Sequence, residues 1–239
     1  AGVPATLGGG RGADATRTGA RRNGSAGASR GPRLAVQPPS RHTGLVMSLA
    51  HHFLTLAYNN AWANHRLLKA CAQLSQADFV APRVSFFPSL QATLNHNLTI
   101  DWYYVDALER AVRGQPPNGE PGRFFDPEQP FATCADLIPA QHAVDRRLID
   151  LCAGLTDARL DGVVRIPRRD GVHPDRIARI LAHLFQHQIH HRGQAHAMLA
   201  GTPVRPPQLD EFFCSNEAHL RAPDFAELGF TEEAIWGTD

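Results

Sequence analysis

Residues 184–199 read LFQHQIHHRGQAHAML, an apolar segment that carries His187, His190, His191 and His196. Around them Leu181, Leu184, Phe185, Ile189, Ala195, Met198 and Leu199 recur mostly at three- and four-residue intervals, the pattern of a helix with one buried stripe. Each helical residue turns the side chain by about 100°, so His187 and His191 lie within about 40° of each other, one turn apart. His183 sits on the same side a turn earlier and His190 flanks the pair. His196, nine positions past His187, faces the opposite way. Two imidazoles at this spacing can converge on one metal ion. Because the pair points toward the interior, each ring needs a partner, and a metal would supply one.

The pattern extends outward on both sides. His173-Pro174-Asp175 reads as the opening of this helix, which stops at Gly201 with Pro203 beyond. Upstream, apolar periodicity predicts helices over Ser48–Leu74, Ser89–Arg113 and about Thr133–Leu155, the last interrupted early by Pro139. Residues 114–131 are rich in Pro and Gly and read as a long connection. Val163-Val164-Arg165-Ile166 followed by Asp170-Gly171 reads as a short hairpin or extended excursion. The fold class is therefore all-α: an up-down-type four-helix bundle with long connections, residues 207–239 adding one or two short helices over an end or side.

Three protein ligands are the minimum for a four- or five-coordinate site. His96, among the apolar positions of the second long helix, is the best candidate for the third; taken alone it reads as a histidine hydrogen-bonded at a helix boundary, and the pair on the fourth helix turns the reading toward a ligand. Asn95 and Gln188 are candidates for hydrogen-bond support of the ligands. His190 reads as such a support, as a general base, or as a structural residue. Arg192 reads as the partner of an acid on another helix or as a guide for a substrate carboxylate. Gly193 weakens a helix interior, which suggests a close helix contact. Tyr58, Trp62, Trp102 and Tyr104 read as core or as pocket lining.

His96 with Asp101 and Trp102 beyond it, followed by H-Q-x-H-H-R-G-Q over His187–Gln194, resembles the DinB/YfiT-like metalloprotein superfamily. YNNAWANHRLL (58–68) is similar to that family's opening helix and GTPVRPPQLDEFF (201–213) to its ending. The resemblance implies a four-helix bundle, a homodimer, and a divalent metal held by His96, His187 and His191. It also implies an enzyme of the thiol S-transferase type, or a hydrolase-like one, in which the metal activates a low-molecular-weight thiol or water toward an electrophilic small molecule. The alternative is a non-catalytic metal-binding stress-response protein. Imidazole ligation suits zinc and nickel alike, and no residue is assigned as catalytic.

Composition excludes other classes. Residues 1–46 hold seven arginines against one acid, Asp14, so this Gly/Ala-rich leader carries +6 and the remaining chain −5 of the net +1. An acidic folded part is the wrong surface for neutralising phosphates, which excludes nucleic acid. The leader lacks periodicity and reads as disordered, with Met47 the candidate true start; transit-peptide character would need an amphipathic helix that is not visible. Residues 47–239 form the domain. Cys71, Cys134, Cys152 and Cys214 make no C-x-x-C pair, and no eighteen-residue apolar run occurs, which points to a cytoplasmic protein with no membrane span.

Overall fold

A computed structural model describes residues 47–237; the expectations for the leader lie outside the described residues. The described chain is mostly helical with one small sheet. Four long helices dominate: α1 (Leu49–Cys71), α3 (Leu90–Val112), α4 (Cys134–Ala153) and α6 (Ile177–Leu199). Three of them start at a hydroxyl cap. Ser48, Ser89 and Thr133 accept from the backbone N–H of His51, Ala92 and Asp136, which satisfies a donor that the first turn would otherwise leave orphaned. The long helices, each about 30–35 Å at 1.5 Å per residue, pack pairwise: α1 on α4, α4 on α3, α3 on α6 and α6 on α1.

The buried stripe of each helix supplies the core. Phe53, Ala57, Ala61 and Leu68 on α1 meet Leu137, Val144 and Leu148 on α4 and Leu94, Leu98 and Leu108 on α3, with Leu181, Leu184 and Leu199 closing it from α6. Trp62 and Tyr104 belong to this core, Tyr58 and Trp102 pack against it, and Trp62 meets Phe212 from the C-terminal segment with the rings tilted 49°. Pro139 sits in the second turn of α4, where only one backbone hydrogen bond is forfeited, and the helix runs on through it.

Two boundaries depart from the sequence reading. A short helix, α2 (Gln76–Val80), capped by Ser75, occupies the segment before Pro82 and packs on α3. His173-Pro174-Asp175 does not open α6. It lies in β2 (Gly171–Arg176), which pairs antiparallel with β1 (Val163–Arg168) so that Pro174 stands opposite Arg165. Proline's fixed φ suits a helix start and an edge strand alike, so the residue type could not separate the two. Val164 and Ile166 turn inward and seat the hairpin on α3, and α6 begins directly at Ile177.

After α4, the short α5 (Asp157–Leu160) supplies Asp157, which accepts from Ala50 N at the start of α1. Beyond α6, α7 (Ala218–Leu228) and α8 (Glu232–Trp236) cover α1, as expected of short C-terminal helices. Arg66 on α1 fastens α7 and the segment before it, pairing with Glu211 and, at 2.6 Å, with Asp224.

The close contact expected at Gly193 is absent. The residue is exposed, and a Cβ built there would meet nothing within 4 Å. Gly193→Ala should therefore stabilise the protein by about 1 kcal/mol, since only the backbone-entropy penalty of glycine in a helix is removed. Thermal unfolding checks this, and a lowered Tm would mean that the open face is needed for packing against something else.

Candidate metal centre

His96 on α3 and His187 on α6 face each other with their Nε2 atoms 3.0 Å apart, although 91 residues separate them in sequence. His191, one turn after His187, completes the group: one ring nitrogen from each of the three lies within 4.8 Å of the other two. Two nitrogens held about 2.0–2.1 Å from a common ion, at right to tetrahedral angles, stand roughly 2.8–3.4 Å apart, so the observed pair fits. Burial drives the three rings toward the neutral, ligating form. It lowers His96 to about 4 and His187 to about 3, with neighbouring imidazoles adding to the effect, and it lowers His191 as well. Without an ion, the facing Nε2 atoms of two neutral rings can share only one proton, and His187 Nδ1 is buried with no partner among the described residues. The donor set is thus chemically suited to a divalent ion, and these three histidines could hold one.

The groups around the triad differ from those anticipated. Gln194 supports His191: the imidazole Nδ1–H donates to Gln194 Oε1 at 2.8 Å, which leaves Nε2 as the nitrogen free to bind. The same amide donates to His190 Nε2 at 3.1 Å, so exposed His190 is joined to His191 through Gln194. Asn95 plays no part in ligand support. Its side chain bonds Phe131 in both directions, donating to the carbonyl and accepting from the N–H at 2.9 Å each, and ties α3 to the long connection. His183 approaches His187 with ring centroids 6.1 Å apart but lies outside the triad, and His196 donates to Pro207 O, away from the site.

The sequence reading passed over Gln194 and Phe87. Phe87, in the segment between Pro82 and Pro88, lays its ring 4.3 Å from the His96 ring and 5.4 Å from that of His191, covering the triad with an apolar surface. No periodicity marks a residue in such a connection. Gln194 was visible as an i+3 neighbour of His191, a spacing at which two helical side chains meet. Gln194→Leu should weaken metal binding by roughly 10- to 100-fold, the usual effect of removing a partner that orients a ligating imidazole. A competition titration with a metal chelator reads this, and unchanged affinity would deny Gln194 that role.

Gln188 and Arg192 turn instead toward the core, where they enter a buried polar network fed by all four long helices. Gln188 donates to the Asp101 carboxylate and to Asn97 O. Gln141 bridges Asp101 and Asp145 at 2.8 and 3.1 Å, and Asn60 and Asn64 donate to Asp145 at 3.2 and 3.0 Å. Arg192 donates to the Asn60 and Asn64 side-chain oxygens at 2.6 and 2.8 Å. The acid partner anticipated for Arg192 is thus reached through two asparagines. Burial raises Asp101 to about 8 and Asp145 to about 6, and lowers Arg192 to about 10.

No helix among the described residues is long and apolar enough to cross a membrane. A comparison with the curated proteins returns no match. A comparison with protein-family models matches residues 47–221 to the model described as the DinB family.

Proposed function

The chain belongs to the DinB family, and from that premise we propose that it is a metal-dependent thiol S-transferase-like enzyme working at His96, His187 and His191. The observation that carries this reading is the convergence of three neutral imidazoles, one from α3 and two from α6, on a single point. His96, His187 and His191 would hold a divalent ion, zinc or nickel, and the chemistry it would supply is Lewis acidity that favours ionisation of a thiol or water at neutral pH. The chain's own groups prepare that point. Burial keeps the rings unprotonated, Gln194 holds His191 in the ligating tautomer, and the Phe87 ring excludes water from one side of the triad.

The four mutually packed long helices are, in this reading, the up-down four-helix bundle of a homodimer, and a reducing cytoplasm fits a chain whose cysteines are free. The test is conjugation of monochlorobimane to a panel of low-molecular-weight thiols by metal-loaded and metal-free protein. At least one thiol should react faster with the loaded protein, by 10-fold or more on the order expected for a correctly placed nucleophile. Equal rates for every thiol would leave a metal-binding protein without turnover.

A further inference from the structure

Beside the triad lies a cleft of about 480 Å³, formed by the segment after α2 and the C-terminal end of α6. Arg83 and Phe86 line one side, and Gln194, Ala197 and Met198 the other. Its size is in the range of small-molecule sites, and its walls combine apolar side chains with a few polar ones, as such sites do. Two residues join it to the triad: Gln194, hydrogen-bonded to His191, and Phe86, whose ring stands 6.0 Å from that of His191.

Arg83 is the one charged side chain among the lining residues, and no carboxylate accompanies it there. Its Nη2 donates to Asp78 O at 3.0 Å, which anchors the guanidinium, while its Nη1 makes no hydrogen bond among the described residues. A guanidinium has five donors in a fork that matches a carboxylate. Phe86 is 69% exposed, an apolar ring left uncovered at the rim. The backbone fixes both positions, since Arg83 N donates to Pro88 O at 2.7 Å and closes the loop that carries them.

We propose that this cleft binds a carboxylate-bearing small molecule with an apolar portion. Arg83 takes the anionic end, Phe86 and Met198 cover the apolar part, and the remainder extends past Gln194 toward His191. Arg83 is then the specificity-determining residue for the substrate of the proposed S-transferase, and this inference rests on that reading for its physiological meaning.

The test uses a probe without a free thiol, so that it reports the cleft independently of any thiol activation. S-benzyl-N-acetyl-L-cysteine and its carboxamide are titrated calorimetrically into the full chain, metal-loaded and metal-free. The carboxylate should bind roughly 10-fold or more tightly than the carboxamide, as expected for one charge-assisted hydrogen-bond pair. Arg83→Gln should abolish that preference and Arg83→Lys should restore part of it, with thermal unfolding of each variant confirming that it is folded. Equal affinity of the two probes for the wild-type chain, or a preference that survives in folded Arg83→Gln, would overturn the proposal. Probe discrimination without thiol turnover would instead uphold the cleft while removing the S-transferase reading.

Discussion

His96→Ala is expected to weaken divalent-metal binding by more than roughly 100-fold, beyond what loss of a supporting hydrogen bond costs. The argument is geometric. His187 and His191 belong to one helix and approach the site from one side, whereas His96 comes from α3 and closes it from the other, with its Nε2 3.0 Å from that of His187. Two imidazoles leave a coordination sphere mostly filled by water, and imidazole affinity for zinc or nickel rests on the number of ligands gathered. The variant should still fold, because His96 is only partly buried and alanine favours a helix interior. Elemental analysis after reconstitution and dialysis is the measurement. A full equivalent of metal retained by His96→Ala would show that the ion sits elsewhere.

The largest effect on stability is expected at Arg192. Arg192→Met removes the cation that, among the described residues, the network holding Asp101 and Asp145 contains, and leaves the side-chain oxygens of Asn60 and Asn64 without their donor. Breaking a buried charge constellation by deleting one partner costs about 3–5 kcal/mol. At the 2–4 °C per kcal/mol typical of a chain this size, the Tm should fall by roughly 6–20 °C. Adding Asp145→Asn should recover part of the loss, because the stranded carboxylate is then gone. A single variant within about 1 kcal/mol of wild type would show that asparagine and glutamine donors alone sustain the acids.

The long helices were legible from periodicity because each buries one stripe, and α1, α3 and α4 begin beside a Ser or Thr cap. The triad was legible for a related reason: i,i+4 spacing on α6 needs no tertiary information, and His96 stood on the buried stripe of another helix. What surrounds the triad was not. Phe87 and Arg83 reach the site from a connection with no repeating pattern, so nothing in the local sequence says which way they point. Asn95 and Gln188 were adjacent in sequence to the ligands, yet one residue along a helix is a rotation of about 100°. That rotation carried Asn95 to Phe131 and Gln188 to Asp101. Gly193 failed for a different reason: its cost to a helix is intrinsic, and the structure shows no contact that compensates it.

The polar network at the centre of the helices does more than tie charges together. An oily interface tolerates sliding, because one methyl replaces another with little penalty. Here a slip of any long helix by one turn, about 5.4 Å, would carry Asn60, Asp101, Gln141 or Arg192 away from its counterpart and strand it in the dry interior. The helices can therefore slot together in one alignment only, like keyed parts. The spot where α3 meets α6, and with it the spacing of His96 from His187, is set by polar groups that never touch the triad.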